Sequence, residues 1–139
     1  MFIIILNGSF IFAADLLRAL SIHAEMSFVK LSSYSGTTSS GNILTEIGLK
    51  ENPEGRHIII VEDIVDTGKT LFAFIPELEK RHPASIKIAA LLSKPEALAC
   101  DIKADYVGFE IANKFVVGYG LDYDGLGRNL PDVYELADQ

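Results

Sequence analysis

The chain has 139 residues, of which 49% are apolar and 22% charged. This is the size and composition of one globular domain, and it excludes a disordered or low-complexity chain. Nineteen acidic residues against twelve basic ones give a formal net charge of −7, which argues against a general nucleic-acid-binding or anionic-membrane-binding protein. An anionic substrate would therefore have to be held by local groups.

The single cysteine, Cys100, excludes an intramolecular disulfide and favours a reducing compartment. Residues 1–6 are apolar, but the run is too short for a membrane helix and lacks the basic flank of a signal peptide. We therefore expect a cytoplasmic protein with no membrane partner.

The first half of the chain alternates strand and helix patterns. An Ile-rich run opens it, the sequence Asn-Gly-Ser then forms a turn, and apolar residues follow at helical spacing. Small polar residues at 35–41 predict a mobile loop. The predicted elements of this half are a strand at 2–6, a helix at 11–20, a strand at 26–34 and a returning strand at 42–47.

The second half continues the alternation. Residues 57–62, His-Ile-Ile-Ile-Val-Glu, form the strongest buried-strand pattern, and a helix follows from Thr67 toward Arg81. Pro76 lies inside that helix and should kink or split it, because proline lacks the N–H and clashes with the preceding turn. Three further strands are predicted, at 85–92, 106–109 and 115–119.

Strands alternating with helices predict a parallel α/β sheet with right-handed crossovers. Ligands of such sheets bind beyond the carboxyl ends of the strands. Four loops should converge there: 7–9, 63–68, 93–95 and the stretch after Tyr119.

The segment 61–70 joins the most apolar strand to a helix amino terminus. Thr67, Gly68 and Thr70 can turn backbone N–H groups toward an anion, which suits a phosphate. The Gly-Lys-Thr ending is similar to a P-loop, but that motif requires glycine where Asp63 stands. We therefore reject the hypothesis that the chain is a P-loop nucleoside triphosphatase. Glu62 and Asp63 would repel a bare phosphate. They make sense as ligands of sugar hydroxyls or of a divalent cation, and the alternative is an acidic surface turn.

This segment, Val-Glu-Asp-Ile-Val-Asp-Thr-Gly-Lys-Thr, resembles the phosphoribosyl-pyrophosphate signature of type I phosphoribosyltransferases in its hypoxanthine-guanine form. Residues 6–10 look like the pyrophosphate loop, 31–34 like the start of the flexible catalytic loop, and 109–111 with 114–123 like the purine pocket. The resemblance implies an α/β type I phosphoribosyltransferase fold, with a central parallel sheet flanked by helices and a small C-terminal hood. It implies a single domain over 1–139, with a core at about 1–105 and a purine-binding hood part at about 106–139.

The implied reaction transfers the 5-phosphoribosyl group from phosphoribosyl pyrophosphate to hypoxanthine or guanine, with xanthine as a further candidate and Mg²⁺ as cofactor. The resemblance also implies a homodimer or homotetramer and no nucleic-acid partner. The implied phosphoribosyl-pyrophosphate contacts are Asn7, Gly8, Glu62, Asp63, Asp66, Thr67, Gly68, Lys69, Thr70 and Arg128. The implied purine contacts are Lys94, Phe115, Val116 and Asp122, the metal-binding carboxylates are Asp122, Glu62 and Asp63, and the flexible-loop residues are Ser33 and Tyr34.

Four of these residues have an ordinary structural alternative. Asp66 matches the family's general base near purine N7, but it could instead cap the following helix. Lys94 matches the donor to the purine 6-oxo group, a role that disfavours adenine, since a cation cannot accept from an amino group; the alternative is a solvated loop lysine. Phe115 would stack on the purine or be ordinary core, and Arg128 would reach pyrophosphate or lie on the surface.

Three departures from the family pattern are visible. Asn7 stands where many members carry lysine, and related enzymes form a non-proline cis peptide there, so we predict one at Leu6–Asn7. Residues 96–98 lack the basic residue that many relatives place after Lys94. Met1 lies almost on the first strand, so either the sequence is truncated or the hood comes from the C-terminal region alone. The alternative functions are a non-catalytic regulator on the same fold and an inactive remnant.

Overall fold

The structure, a computed structural model, describes residues 1–33 and 43–137. These described residues form eight strands, two α-helices and one short 3₁₀ helix, and all but the 3₁₀ helix and the last strand are predicted from the sequence. In chain order they are β1 (Phe2–Leu6), α1 (Phe10–Ala19), β2 (Met26–Ser33), β3 (Ile43–Ile47), β4 (His57–Val65), α2 (Lys69–Glu79), β5 (Ser85–Ser93), the 3₁₀ helix (Pro95–Ala97), β6 (Tyr106–Glu110), β7 (Val116–Val117) and β8 (Tyr134–Glu135).

The first six strands form one sheet in the order β3-β2-β1-β4-β5-β6. Five strands run parallel, and β3 pairs antiparallel with β2 at one edge. The chain leaves β1 toward β2 on one side and leaves β4 toward β5 on the other. A crevice is expected at the carboxyl ends of β1 and β4, because the direction of winding reverses between them.

The central strands are buried on both faces, as their apolar runs predict. Ile3, Ile58 and Ile60 belong to the cluster that contains buried residues of α2. Ile4 and Val61 belong to a second cluster with Ala13 of α1. All five strand residues have no exposed surface, and burying each aliphatic side chain stabilises the fold by roughly 1.5–3 kcal/mol. This rigid sheet fixes where the strands end and so where the loops begin.

Helix α2 is continuous through Pro76, so the predicted split of this helix is wrong. Leu71 and Leu78, on either side of the proline, are both buried in the same core cluster. Beyond the proline, the Lys80 N–H donates to the Pro76 carbonyl at 3.2 Å. Packing of both halves against the sheet therefore outweighs the hydrogen bond that proline cannot make.

The strand predicted at 115–119 is also wrong in extent, because β7 covers only Val116–Val117. Gly118, Tyr119 and Gly120 follow with φ angles of 102°, 49° and 102°, which no β-strand accepts. The chain turns there and returns as β8, which pairs antiparallel with β7. The sequence did not predict β8, a strand of two exposed residues.

Tyr34 and the predicted mobile loop at 35–41 lie outside the described residues, as does the side chain of Ser33. Within residues 1–33 and 43–137, no helix combines the length and the apolar character needed to cross a membrane.

Candidate active site

The four predicted loops converge on two cavities at the carboxyl edge of the sheet. The first has a volume of about 300 Å³ and is lined by Asn7 and Gly8, by residues 62–71, and by Asp122 and Arg128. The second, of about 160 Å³, is lined by Lys94, Phe115, Val116 and Leu121. Both cavities share Asp63, Ile64, Asp66 and Asp122. Among the sequence-predicted site residues, only Ser33 and Tyr34 have no described side chain to place.

The turn after β1 packs closely against β4. The Leu6–Asn7 peptide bond is cis, which confirms the prediction. A Cβ atom on Gly8 would lie 1.7 Å from Oδ2 of Asp63, so no other residue fits here without moving that carboxylate. The buried Ser9 hydroxyl donates to the Ile5 carbonyl at 2.5 Å. The turn is therefore held at a fixed distance from the acidic end of β4.

The loop between β4 and α2 places a helix amino terminus in the first cavity. Gly68 is the N-cap residue of α2, with a φ of 77° that favours glycine, and the side chain that accepts from the first helical N–H, that of Lys69, is the Thr67 hydroxyl at 3.4 Å. The alternative role of Asp66 as a helix cap is therefore wrong. Residues 66–70 instead line the cavity with the positive end of the α2 dipole. An anion such as a phosphate would be stabilised there.

Glu62 and Asp63 are adjacent residues near the carboxyl end of β4, followed in the strand by Ile64 and Val65. Burial raises the pKa of Glu62 well above its usual range, and the charge of Asp63 adds to the shift. Burial also raises the pKa of Asp63, although a hydrogen bond from the Ile64 N–H and the charge of Arg128 act against it. The alternative of an acidic surface turn is therefore wrong for Glu62, which is only 7% exposed.

Lys94 and Asp66 form an ion pair across the second cavity, with Nζ 3.1 Å from Oδ2. The Lys94 side chain is only 7% exposed, whereas that of Asp66 is 45% exposed. The Lys94 N–H also donates to the Val65 carbonyl at 2.9 Å, which ties the end of β5 to the end of β4. The alternative of a solvated loop lysine is wrong. No local sequence pattern indicates this pairing, because the two residues are 28 positions apart.

Phe115 lines the second cavity and is supported by the ring of Tyr123. Their rings pack edge to face with centroids 5.6 Å apart. Phe115 is 50% exposed, so the alternative of an ordinary core residue is wrong. A half-exposed ring beside a cavity is available to stack on a planar ligand.

Arg128 is held over the first cavity by two partners. Its Nη2 lies 3.0 Å from Oδ1 of Asp122, and its Nη1 donates to the Gly120 carbonyl at 2.7 Å. The Gly125 N–H donates to Oδ2 of Asp122. The guanidinium is therefore oriented before any anion binds.

The carboxylates of Glu62, Asp63 and Asp122 line the first cavity but do not form a closed metal cage. Within the described part of the chain, no three His, Cys, Asp or Glu side chains are grouped so that they could hold a metal ion by themselves. This donor set fits Mg²⁺, which proteins usually bind through one or two carboxylates together with water and substrate phosphates.

Comparison with known proteins agrees with this geometry. A family model for the phosphoribosyl transferase domain matches residues 1–124. A hypoxanthine-guanine phosphoribosyltransferase from Streptococcus pneumoniae is 47% identical over 136 residues, which are 97% of this chain and 76% of that protein. The chain belongs to the hypoxanthine-guanine phosphoribosyltransferases.

Other members of the family are similarly close. A hypoxanthine-guanine-xanthine phosphoribosyltransferase from Tritrichomonas foetus is 42% identical over 94% of this chain and 72% of that protein. The crystal structure of a hypoxanthine phosphoribosyltransferase from Staphylococcus aureus superimposes with a TM-score of 0.92 at 41% identity, over 98% of this chain and 74% of that one. The chain thus spans about three quarters of the length of these phosphoribosyltransferases and has their type I fold.

Proposed function

We propose that this phosphoribosyltransferase transfers the 5-phosphoribosyl group from phosphoribosyl pyrophosphate to hypoxanthine or guanine, with xanthine as a further candidate base, and releases pyrophosphate. The observation that carries the proposal is the pair of adjoining cavities. One offers a helix amino terminus and carboxylates, and the other offers Lys94 and Phe115. Asp66 and Asp122 border both cavities, where the bond between sugar and base would form.

On the phosphoribosyl side, residues 66–70 would hold the 5′-phosphate. Each charge-assisted hydrogen bond from such N–H or hydroxyl groups contributes about 1.5–3 kcal/mol. Glu62 and Asp63 would accept from the ribose hydroxyls, as their position beside that loop supports. Asn7, Gly8 and Arg128 would contact the pyrophosphate. Since Asn7 carries no charge, the preoriented Arg128 guanidinium supplies a cation there.

On the base side, the Lys94–Asp66 pair presents a donor next to an acceptor. The edge of a 6-oxopurine presents an acceptor, the 6-oxo oxygen, next to a donor, the N7–H. The two sets are complementary, whereas the 6-amino group of adenine would face the Lys94 ammonium with another donor. Phe115 would stack on the ring, and the Val116 carbonyl would accept from its edge.

Asp66 would act as the general base. Taking the proton from N7 makes the purine a better nucleophile toward the anomeric carbon of the ribose. A group in this role typically contributes about 10²–10⁴ to the rate. The closeness of its carboxylate to Lys94 supports the assignment, because one side chain would place the 6-oxo group while the other receives the proton.

The site residues proposed for Mg²⁺ are Asp122, Asp63 and Glu62. When bound, this ion would neutralise charge on the departing pyrophosphate. The three carboxylates would hold it together with oxygen atoms of the substrate. We further propose that residues 1–105 form the catalytic core and that the part from 106 onward contributes the purine wall, where Phe115 and Val116 lie.

The direct test incubates the protein with Mg²⁺, phosphoribosyl pyrophosphate and one base at a time, and follows nucleotide formation. Turnover is expected with hypoxanthine and guanine and not with adenine. If no base is turned over, the enzymatic proposal is wrong. If adenine is used as well as hypoxanthine, the role of Lys94 is wrong.

The variant Asp66→Asn tests the base. Turnover should fall by about 10²–10⁴, while the Kd for magnesium phosphoribosyl pyrophosphate measured by calorimetry stays close to the wild-type value. Glu77→Ala, which removes an exposed carboxylate from α2, is the control and should keep full activity. Unchanged turnover in Asp66→Asn would remove this residue as the base.

A further inference from the structure

The turn that follows β7 has an unusual backbone. Three consecutive residues, Gly118, Tyr119 and Gly120, have positive φ angles. Glycine adopts such angles readily, but Tyr119, at 49°, pays a steric penalty that most non-glycine residues avoid. Something other than the local sequence must therefore hold Tyr119 in place.

The Tyr119 side chain reaches across to α1. Its hydroxyl donates to Oδ2 of Asp15 at 2.5 Å, a contact between residues 104 positions apart. The other charged partner of Asp15, Arg18, lies 3.9 Å away on the exposed surface of the same helix. Burial raises the pKa of Tyr119 to about 12, and the hydrogen bond to Asp15 adds to the shift, so the phenol stays a donor throughout the neutral range.

The same turn packs directly on the pyrophosphate side of the site. A Cβ atom on Gly120 would lie 2.1 Å from the Gly8 carbonyl oxygen, so the two backbones are in close contact. The Gly120 carbonyl accepts from Arg128, and its N–H donates to the Arg128 carbonyl at 2.9 Å. Any shift of this turn relative to α1 would therefore move Arg128 and Asp122 relative to Gly8.

We propose that Tyr119 and Asp15 form a positioning pair that fixes the turn at 118–121 against α1, and so sets the distance between Gly8 and the Asp122–Arg128 ion pair. Neither side chain touches the cavity that holds the anion, so both act through other residues. The proposal rests on the proposed function, since it assigns this distance to the binding of phosphoribosyl pyrophosphate.

The test compares Tyr119→Phe and Asp15→Ala with the wild-type protein. The KM and the calorimetric Kd for magnesium phosphoribosyl pyrophosphate should rise about fivefold in each, the effect of losing one ordinary hydrogen bond. The KM for hypoxanthine should rise less than the KM for phosphoribosyl pyrophosphate. Lys94 and Asp66, which hold the polar edge of the base, lie on other elements, and only Leu121 and Asp122 connect the turn to the base cavity. The double variant should be no worse than either single one, since both remove the same contact.

Two further variants separate positioning from general stability. Asp15→Asn keeps an oxygen acceptor for the phenol and should restore the wild-type KM. Arg18→Ala removes the neighbouring charge without touching Tyr119 and should change nothing. Equal loss of affinity for both substrates with a lowered Tm would overturn the proposal, because it would indicate a structural role alone.

The two proposals fail in different ways. If the wild-type protein turns over hypoxanthine but Tyr119→Phe keeps its KM and Kd, the positioning pair is refuted and the function stands. If no base is turned over, the proposed function fails. The calorimetric Kd of the same variants then still decides whether the pair positions the anion site.

Discussion

Removing the Asp66 carboxylate should destabilise the folded protein as well as slow its chemistry. The Lys94 side chain is only 7% exposed, and its Nζ lies 3.1 Å from Oδ2 of Asp66. In Asp66→Ala, the Lys94 ammonium would therefore stay buried without its carboxylate partner. A buried charge that loses its partner retains the full penalty of leaving water. The change therefore acts on stability through Lys94 rather than through Asp66 itself.

The size of the loss follows from the unequal exposure of the two partners. Breaking a fully buried ion pair costs about 3–5 kcal/mol, whereas exposed pairs contribute about 0–1 kcal/mol. Asp66 is 45% exposed, so water can replace part of its interaction, and we expect a loss of about 1–2 kcal/mol. For a chain of 139 residues this lowers Tm by about 3–7 °C.

Urea unfolding measures this loss, and three other variants define its origin. Lys94→Met replaces the ammonium by an apolar side chain and should lie within about 1 kcal/mol of wild type. The double variant Asp66→Ala with Lys94→Met should match Lys94→Met alone, because no buried charge is left. The matched control is Glu77→Ala, whose lysine partner Lys80 is 68% exposed; it should lose no more than about 0.5 kcal/mol.

Two results would refute this reasoning. If Asp66→Ala unfolds at the wild-type urea concentration, the Lys94 charge does not depend on its partner. If the double variant is as unstable as Asp66→Ala, the loss comes from Asp66 and not from an uncompensated Lys94.

Three other substitutions test separate parts of the site. Burial raises the pKa of Glu62 above its ordinary value of 4.5. The folded state therefore binds this proton more tightly than the unfolded state, and the stability of the protein falls as pH rises above that value. Glu62→Gln should raise Tm by a few degrees at neutral pH, and should give no gain below about pH 4, where Glu62 is protonated in both states. Gly8→Ala would place a Cβ atom 1.7 Å from Asp63 and should weaken calorimetric binding of magnesium phosphoribosyl pyrophosphate at least about tenfold. The control Gly55→Ala has a φ of 67° that costs stability, but it has open space around it and lines neither cavity, so it should leave binding unchanged. Lys94→Met should raise the steady-state KM for hypoxanthine about tenfold or more by removing a charge-assisted hydrogen bond, and an unchanged KM would contradict its role.

The strands of the sheet could be predicted because each is a local pattern. The continuous apolar runs at β1 and β4 have side chains that need burial on both faces, and this requirement depends on the sequence alone. The loop proposed to bind phosphate was predictable for the same reason. A glycine and two threonines at the start of a helix act within a few residues of one another.

Two elements were mispredicted because distant contacts decide them. Pro76 alone favours a broken helix, but the buried Leu71 and Leu78 hold α2 against the sheet. The run at 115–119 looks like a strand, yet the Tyr119 and Gly120 N–H groups donate to Leu130 and Arg128. These partners lie outside any local window of sequence.

The sequence by itself determined the class of fold, the family motifs and the acidic pair at Glu62 and Asp63. Only the tertiary structure decided that Lys94 is buried against Asp66 and that Tyr119 is bound to Asp15. Local hydrogen bonding and hydrophobic periodicity are properties of neighbouring residues, whereas the desolvation of a charge and the choice of its partner depend on which strand ends the sheet brings together.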